Sequence, residues 1–286
     1  MTIARMGGCL LLAVALASAT ARAADPGLED ELNGWRLQQF AAIVTSEMGE
    51  PFKSLEDPPF RYHAYRFDEQ AYLVVGIDEA QPNHVASLQL TGKASTLMSP
   101  FKGLRLGDGR DKVLAVLGPP SDIVAVAEPK LSRLEYADRN YSVELDEAGG
   151  LYSIRLHINQ AFMHIPPDDE DPWPDFLAAL ESGDAKRLLP HLRPDVEVYR
   201  HGRTLSIQQR FSDFAARPDP ALLDAFLSAD SGVRRHARDC RHETAVRVTE
   251  KMGVGVVWKF EEPCGLGEVV MFPHAGRYRV YEVAFR

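Results

Sequence analysis

The segment RRHARDCRHE, residues 234–243, holds the side chains of this sequence that are best suited to bind a metal ion. His236, Cys240 and His242 lie close together in it, and Cys264 could supply a fourth ligand. Imidazole nitrogens and thiolates are common ligands of Zn²⁺. The alternative is that Cys240 is oxidised and that the histidines lie on the surface. We favour this alternative, and we predict neither a metal centre nor another cofactor.

The amino terminus has the composition of a secretory signal peptide. Arg5 precedes an apolar run from Cys9 to Ala17, and a small-residue pattern ends at Ala23. The run is shorter than the roughly 20 residues that span a bilayer, and Cys9 precedes most of it, so we predict neither a membrane anchor nor lipidation. We expect removal of residues 1–23 and a periplasmic or secreted mature protein.

Export bears on the remaining cysteines and on the charge of the mature chain. In an oxidising compartment, Cys240 and Cys264 are expected to form a disulfide, which would stabilise the fold by about 3 kcal/mol on a chain-entropy model. Loss of residues 1–23 removes two of the 32 basic residues and none of the 41 acidic ones, so the formal charge falls from −9 to −11. Such a surface repels nucleic acid and anionic lipid, and we predict neither as a partner.

Four arginines lie in the same segment as the candidate metal ligands. They are Arg234, Arg235, Arg238 and Arg241. They could bind an anionic partner or the acidic stretch HIPPDDEDPWPD of residues 164–175, or they could form a solvated basic face. The prolines of that acidic stretch predict a linker over residues 163–175.

A further set of polar residues could perform acid and base chemistry. His191, Asp195 and His201 surround the first predicted strand of the C-terminal half, and a cone-shaped domain could bring them into one pocket. Histidines beside proline, as in PHLRP, are more typical of exposed turns. The sequence also contains no G-x-S-x-G, no H-E-x-x-H, no P-loop and no G-x-G-x-x-G after a strand. We therefore predict that the protein is not an enzyme.

Aromatic side chains on the predicted strands are suited to contact with another protein. The candidate partner-binding residues are Tyr65, Phe67, Tyr72, Tyr136, Tyr141 and Tyr152. Tyrosine combines a rigid apolar ring with a polar end, and such residues are frequent at the centres of protein interfaces. Strand alternation implies that some of them point inward. In particular, Tyr136 and Tyr141 lie on opposite faces if their strand is unbroken.

The elements that must position these tyrosines form an internal repeat. The motif MGEP recurs as LGPP at an offset of 69 residues, and YRFDEQAYLVVGID aligns with LEYADRNYSVELDE at the same offset. Both blocks alternate as strands joined by a tight turn, and HVASLQL and LYSIRLHI supply one more strand each. We predict two tandem units over residues 28–92 and 100–160, within a repeat region of residues 25–162.

Each unit opens with a predicted helix. In the first unit, the apolar positions favour one helix from Leu28 to Met48. In the second, Asp108 or Gly109 begins a short helix that ends at Gly118 and the proline pair after it. So short a helix is marginal alone, and we expect it to lie against a sheet.

The second unit resembles the small envelope lipoprotein family typified by BamE (SmpA/OmlA). Its V-x-x-x-L-G-x-P helix ending is matched by Val113, Leu117, Gly118 and Pro120. Gly109 departs from the family, which has a capping serine or threonine there. Over residues 28–160, the two units in tandem are similar to the β-lactamase inhibitory protein family. That resemblance implies a concave sheet face that binds a protein, but it carries over no contact residue.

The C-terminal half, residues 176–286, is predicted to form a second domain. Two helical patterns, DFLAALESGDAKRLLPHL and PDPALLDAFLSAD, precede four alternating segments, which predict a curved antiparallel sheet. The phrase F…AL…GD…L in the first pattern resembles the opening of the nuclear transport factor two superfamily. The predicted fold class is therefore α+β, with two tandem helix-plus-antiparallel-sheet units followed by a second α+β domain.

Functions from three classes are compatible with these features. We predict an exported periplasmic protein-binding module without catalytic activity, an inhibitor or immunity-type protein that occludes a partner in the cell envelope. One alternative is an envelope assembly or scaffold factor of BamE type, although such factors are usually lipidated and no cysteine directly follows the apolar run here. The other is a small-molecule-binding or hydrolytic domain in the C-terminal half, which a cavity lined by His191, Asp195 or His201 would favour.

Overall fold

The computed structural model describes residues 27–93, 98–163, 171–200, 202–228, 231, 234, 240–249, 253–262 and 264–286. The predicted signal peptide, most of the predicted linker, His201 and His236 lie outside these residues. The described chain is α+β, with one eight-stranded and one six-stranded sheet that have separate hydrophobic cores, and this confirms the predicted fold class. Among the described residues, no helix has the length and apolar character needed to cross a bilayer.

The described chain opens with a small hairpin rather than with a helix. The first elements are β1 (Glu31–Leu32), β2 (Trp35–Arg36) and α1 (Ala41–Met48). The prediction of one helix from Leu28 to Met48 is therefore wrong over its first half. The reason is the pair Asn33 and Gly34, whose φ angles of 54° and 80° form a tight turn. An Asn-Gly pair between apolar residues favours a two-residue hairpin turn.

Each of the two tandem units has one helix followed by a four-stranded antiparallel meander. In the first unit, α1 precedes β3 (Lys53–Asp57), β4 (Phe60–Arg66), β5 (Ala71–Asp78) and β6 (Val85–Gly92). The second unit contains α2 (Arg110–Leu117), β7 (Asp122–Val126), β8 (Leu131–Glu135), β9 (Tyr141–Leu145) and β10 (Leu151–His157). α2 begins and ends 69 residues after α1, which is the offset of the sequence repeat.

Both helices end at a glycine with a positive φ. Gly49 and Gly118 have φ angles of 77° and 82°. Each donates its N–H to the carbonyl four residues earlier, at Thr45 and Leu114. A residue with a side chain disfavours this backbone conformation, whereas glycine adopts it readily. The two short helices therefore end by the same local mechanism.

The eight strands form one continuous sheet in the order β3-β4-β5-β6-β10-β9-β8-β7. The two meanders meet at their last strands, because β6 pairs with β10 in antiparallel orientation. At this junction Leu90 lies opposite Ile154, and Gln89 lies opposite Arg155. Outward from the junction, each unit runs from its last strand to its first, in the orders β6-β5-β4-β3 and β10-β9-β8-β7. The two units are therefore related by an approximate two-fold axis.

One face of this sheet packs against α1 and α2 and forms the N-terminal core. A buried cross-strand row on this face consists of Leu73, Leu90, Ile154, Val143 and Leu134. Ile43 and Val44 of α1 and Val113 of α2 belong to the same core. Because strand side chains alternate, the neighbours of each buried residue point to the opposite face.

The C-terminal half has a layer of helices on the six-stranded sheet. Its helices are α4 (Trp173–Ser182), α5 (Ala185–Leu188), α6 (Phe211–Ala216) and α7 (Pro220–Leu227). The short helix α3 (Gln160–Met163) precedes them, and its Phe162 is buried in the N-terminal core. Its strands are β11 (Leu192–Arg200), β12 (Arg203–Ser206), β13 (His242–Thr249), β14 (Gly253–Phe260), β15 (Leu266–His274) and β16 (Arg277–Phe285). The order is β12-β11-β16-β15-β14-β13, and register shifts between β15 and β16 mark bulges, which curve a sheet.

Aromatic and aliphatic side chains fill the space between these helices and the sheet. Trp173 of α4 stacks on Trp258 of β14 with 5.1 Å between ring centroids. Further buried members of this core are Phe176, Phe214, Phe226, Phe260, Leu266 and Val283. A disulfide joins Cys240 to Cys264 with their Cα atoms 6.1 Å apart, which confirms the predicted pairing.

Candidate protein-binding face

The face of the eight-stranded sheet opposite α1 and α2 is called the open face here. One cross-strand row on it consists of Arg66, Tyr72, Thr91, Ser153, Glu144 and Arg133. The first three of these residues belong to the first unit and the last three to the second. The row therefore crosses the junction and makes one surface from both units.

A β-bulge adds Tyr152 to the open face. The pairing of β10 with β9 shifts register between Leu151 and Ser153, so β10 has one residue more than its partner strand. Leu151 and Ile154 both lie in the core, and the two residues between them both point away from it. Bulges redirect side chains in this way.

An aromatic cluster lies where the two units meet. The side chains of Tyr72 and Tyr152 lie beside each other across the junction, close enough for Tyr152 to raise the pKa of Tyr72. The ring of Phe52, which is exposed, packs edge-on against Tyr72 with 5.7 Å between ring centroids. The Arg66 guanidinium lies 4.3 Å from the centre of the Phe52 ring. Phe52, Arg66, Tyr72 and Tyr152 are called the aromatic cluster below.

The hydroxyl of Tyr72 is a hydrogen-bond donor over the whole neutral pH range. Burial, together with the adjacent Tyr152, raises the pKa of Tyr72 above its ordinary value. The phenol therefore stays protonated. It can donate to Tyr152 or, after a change of rotamer, to an acceptor on another molecule.

Small polar side chains form the floor of the open face beside the aromatic cluster. These buried residues are Ser87, Thr91, Ser142 and Ser153. The longer Gln89 lies beside them and donates from Nε2 to Ser153 Oγ at 2.8 Å. The centre of the open face therefore consists of short, hydrogen-bonded side chains, whereas the larger side chains of the aromatic cluster lie at one end of it.

A groove of about 670 Å³ extends from the Tyr152 end of the open face. Its lining includes Gly92, Lys93, Lys130, Asp146, Glu147 and Tyr152. Lys130 and Glu147 are both exposed and form an ion pair at 3.4 Å. The groove therefore presents charges of both signs next to an aromatic ring.

The structure places the six predicted contact residues in different environments. Tyr72 and Tyr152 are half-buried on the open face. Phe67, just after β4, is partly buried and packs against the N-terminal core. The prediction that all six could present a contact surface is wrong for three buried residues, none more than 6% exposed: Tyr65, Tyr136 and Tyr141.

Strand register explains why these three tyrosines are buried. Tyr65 pairs with Leu73 and so points to the core, where its hydroxyl is 3.0 Å from Thr45 Oγ1. Tyr136 and Tyr141 flank the turn between β8 and β9, and their ring centroids are 5.4 Å apart. The alternation argument requires an unbroken strand, so it does not apply to this pair.

Phe52 and Arg66 are contact candidates that the sequence analysis missed. Phe52 follows Pro51 and precedes β3, where no strand alternation assigns it a face. Arg66 ends β4, directly opposite Tyr72, and this cross-strand neighbour could have drawn attention to it. Long side chains and aromatic rings on facing strand positions commonly interact.

The predicted acid–base residues have separate partners. Both carboxylate oxygens of Asp195 accept hydrogen bonds from Arg193, at 2.8 and 2.9 Å, and both side chains are buried. His191 lies against the Phe176 ring, and burial lowers its pKa. His201 lies outside the described residues. The geometry therefore makes Asp195 part of an internal ion pair.

The two cysteines that a metal centre would need as thiolate ligands are not available. Cys240 and Cys264 are joined in the disulfide. The His242 ring packs against Trp173 with 5.7 Å between centroids. His236 lies outside the described residues. Among the described residues, no group of three or more His, Cys, Asp or Glu side chains could hold a metal ion.

Arg234, one of the four clustered arginines, has an internal role. Its guanidinium donates to the Leu227 carbonyl at 2.8 Å and to the Glu181 carbonyl at 3.4 Å. It therefore ties the end of α7 to the end of α4. Arg241 is exposed, and the other two arginines lie outside the described residues. The suggestion that all four bind one anionic partner is wrong for Arg234.

A buried polar cluster joins the two halves of the molecule and was also missed. Asp30 Oδ2 accepts from Arg36 at 3.1 Å, from Arg279 at 2.8 Å and from His274 Nε2 at 2.8 Å. His274 Nδ1 lies 2.6 Å from the side-chain amide of Gln38, which can donate to a neutral imidazole through its NH2 group. These five residues are called the junction cluster. Asp30 and Arg279 are 249 positions apart, so no local pattern reveals their contact.

Burial sets the charges of the junction cluster. Burial, together with the charge of Arg279, lowers the pKa of His274 to about 3, so the imidazole is neutral at neutral pH. Burial alone would raise the pKa of Asp30, but Arg279, the His274 hydrogen bond and Arg36 hold it well below its ordinary value. The cluster therefore contains a buried carboxylate with cationic partners, and loss of one partner would leave a buried charge uncompensated.

No protein-family model matches the chain, and no curated protein matches it. Among solved structures, it is similar to a DUF4309 family protein from Bacillus subtilis, with 12% identity, a TM-score of 0.32, and coverage of 42% of this chain and 78% of that one. It is also similar to a cysteine-rich secretory protein from Staphylococcus aureus, with 12% identity, a TM-score of 0.30, and coverage of 57% and 61%. Neither likeness carries a functional argument.

Proposed function

We propose that this chain is an exported protein-binding module without catalytic activity, which occludes a partner in the cell envelope as an inhibitor or an immunity-type protein. The observation that carries the proposal is the aromatic cluster on the open face. Tyr72 from the first unit and Tyr152 from the second lie beside each other there across the junction. A contact surface built by both units is broader than either unit could offer alone.

The composition of the aromatic cluster supports this proposal. Tyrosine and arginine are enriched among the few residues that carry most of the binding energy at protein interfaces. Their rings and guanidinium groups give a large contact area with hydrogen-bonding ends. Phe52 adds an exposed ring beside Arg66 and Tyr72. We therefore expect these four residues to form the centre of the interface.

The charge of the open face supports a protein partner over nucleic acid or anionic lipid. The open-face row ends in Glu144 and Arg133, which lie opposite each other on β9 and β8. The groove beside Tyr152 pairs Lys130 with Glu147. Mixed charges of this kind fit a partner surface that also carries both signs, and they contribute to specificity more than to affinity.

Two observations support export of the chain. The disulfide between Cys240 and Cys264 is of the kind that persists in oxidising compartments. The predicted signal peptide of residues 1–23 would deliver the chain to such a compartment. A partner in the bacterial envelope or outside the cell would then be within reach.

Site-specific photo-crosslinking tests the proposed binding face. A photoreactive phenylalanine replaces Tyr152 or Tyr72 in the mature chain, residues 24–286, and the protein is irradiated in envelope extract. The matched control carries the same photoreactive group in place of Val116, which is exposed on α2 on the other side of the sheet.

We expect one discrete protein adduct from the Tyr152 and Tyr72 sites and none from the Val116 site. Arg66→Ala combined with the Tyr152 probe should reduce the adduct several-fold, because the cluster loses its cation. Adducts from the Val116 site only, or from none of the sites, would overturn the proposed face.

A further inference from the structure

Arg155 is a cation at the centre of the open face, on the strand β10 where the two tandem units meet. Its neighbours Ile154 and Leu156 are buried in the N-terminal core, so its side chain points to the open face. Gln89 of the first unit and Ser142 of the second lie opposite it on the flanking strands. The residue is partly exposed, and its guanidinium forms no hydrogen bond or ion pair with any residue that the structure describes.

The arginines of the neighbouring cross-strand row have partners on the open face. Arg66 lies 4.3 Å from the centre of a ring in the aromatic cluster. Arg133 forms an ion pair with Glu135, the carboxylate in the same row as Arg155. Glu144 lies opposite Arg133. Within the described chain, therefore, neither glutamate of these two rows forms an ion pair with Arg155.

The side chains around Arg155 are short and polar. Ser142 and Ser153 are buried, and Gln89 is held by its hydrogen bond to Ser153. The Ser142 hydroxyl can donate to an acceptor that lies beside the guanidinium. An acceptor on another molecule can therefore approach Arg155 without displacing a bulky side chain.

His157, two residues further along β10 on the same face, is neutral at neutral pH. Burial, together with the charge of Arg155, lowers its pKa. Its Nδ1 is buried and forms no hydrogen bond with any part of the chain that the structure describes. The guanidinium is therefore the cation in this part of the open face, and the imidazole adds a hydrogen-bonding group beside it.

A partner that covers the open face must provide an anionic group for Arg155. Contact removes water from the guanidinium, and a buried cation without a counter-charge is strongly unfavourable. A carboxylate matches the planar fork of a guanidinium with two parallel hydrogen bonds. We propose that an aspartate or glutamate side chain of the partner protein binds Arg155, with the Ser142 hydroxyl donating to the same carboxylate. This inference rests on the proposed function and adds the chemical group that the partner contributes.

The glutamates of the open face argue against a phosphate-rich ligand at Arg155. Glu135 and Glu144 lie on the two strands beyond it, and a polyanion would meet their negative charges. A single carboxylate on a protein surface of mixed charge can bind Arg155, while basic groups of that surface lie against the glutamates.

Substitution of Arg155 in the photo-crosslinking assay tests the inference. Arg155→Gln is combined with the photoreactive group at position 152, and it should reduce the protein adduct about tenfold, because a charged hydrogen bond is lost. Arg110→Gln is the matched control, since Arg110 is exposed on α2 on the other side of the sheet, and it should leave the adduct unchanged. Urea denaturation should show equal stability for both variants, because Arg155 has no partner among the described residues.

The outcomes separate the inference from the proposed function. An adduct that Arg155→Gln leaves undiminished would contradict the inference and leave the proposed function standing. If the chain with both arginines intact gives no adduct, the proposed function fails and the inference fails with it.

Zero-length coupling identifies the group that binds Arg155. Arg155→Lys places an amine at this position, and a water-soluble carbodiimide joins an amine to a carboxylate in contact with it as an amide, taking up the lost water to become a urea. Peptide mapping by mass spectrometry should find position 155 joined to an aspartate or glutamate of the protein that the Tyr152 probe captures. Arg110→Lys should give no such bond. Coupling to Glu135 or Glu144 of the same chain, coupling at both positions equally, or no coupling at position 155 would overturn the inference.

Discussion

Tyr141 and Tyr152 are strand tyrosines of the same unit with opposite environments. Tyr141 is buried, and its ring packs against Phe101 and Tyr136 at 5.4 Å in each case. Tyr152 is half-buried on the open face and lies beside Tyr72. At the scale of single residues, therefore, one ring supports the fold and the other is available to a partner.

Alanine substitutions separate these two roles. Tyr141→Ala should lower the free energy of unfolding by about 3–5 kcal/mol, because it leaves a cavity in the core. Tyr152→Ala should lower it by only about 1 kcal/mol, because the half-buried ring on the open face leaves no cavity in the core. Urea denaturation of both variants measures the difference. Equal losses would show that Tyr152 is as much a core residue as Tyr141.

At this scale, the aromatic contact candidates could be predicted from the sequence, but the face of the sheet on which each of them lies could not. The aromatic candidates were found because tyrosines recur in the strand patterns. Whether each points in or out depends on features of the backbone that alternation does not reveal. The bulge between Leu151 and Ser153 turns Tyr152 outward, and the turn before Tyr141 ends the strand that would have set its parity.

At the scale of elements, the two short helices end in the same way. α1 and α2 both stop at a glycine with a positive φ, and each is followed by the edge strand of its meander. This chemistry is local, so the sequence predicted it well. The hairpin of β1 and β2 was missed because the apolar spacing from Leu28 onward resembles a helix. The competing signal, Asn33-Gly34, outweighs that spacing in the fold.

Two glycines that border α2 offer a matched pair of substitutions. Gly118 has a φ of 82°, whereas Gly109 has a φ of −69°, and an added methyl group at either meets nothing within 4 Å. Gly118→Ala should lower the free energy of unfolding by about 1–3 kcal/mol, since its backbone is strained for alanine. Gly109→Ala should change it by less than about 1 kcal/mol. If urea denaturation shows equal effects, the positive φ is not what requires glycine at Gly118.

At the scale of the whole molecule, the junction cluster links the N-terminal hairpin to the C-terminal sheet. Its residues come from both ends of the chain, so their contact depends on the complete fold and could not be predicted from sequence patterns. His274 is the member whose charge matters most in the mildly acidic range. It is fully buried, and its pKa is lowered to about 3.

This lowered pKa predicts a loss of stability in mild acid. An unfolded histidine takes up a proton near pH 6.5, while the folded His274 does not, so protons favour the unfolded state below that pH. The contribution of His274 to the free energy of unfolding should fall by about 2 kcal/mol between pH 7.5 and pH 5. The lowered pKa of Asp30 acts only in stronger acid, below the ordinary carboxyl range.

His274→Gln isolates this contribution, because burial also lowers the pKa of His157 and of His191. Urea denaturation of both proteins at pH 7.5 and pH 5 should show a smaller decline for the variant, by about the 2 kcal/mol that one histidine accounts for. An identical decline would mean that His274 is protonated in the folded protein.

The seam between β6 and β10 also bears on how this sheet could have arisen. Each tandem unit ends in the strand that meets the other unit, in antiparallel orientation. A polypeptide with a single unit would expose that final strand, and two identical polypeptides could join through it about a two-fold axis. Duplication within one gene would then place both protomers on a single backbone with the same architecture. Each half could afterwards diverge, and only one of them would need to keep the binding surface of the original protein.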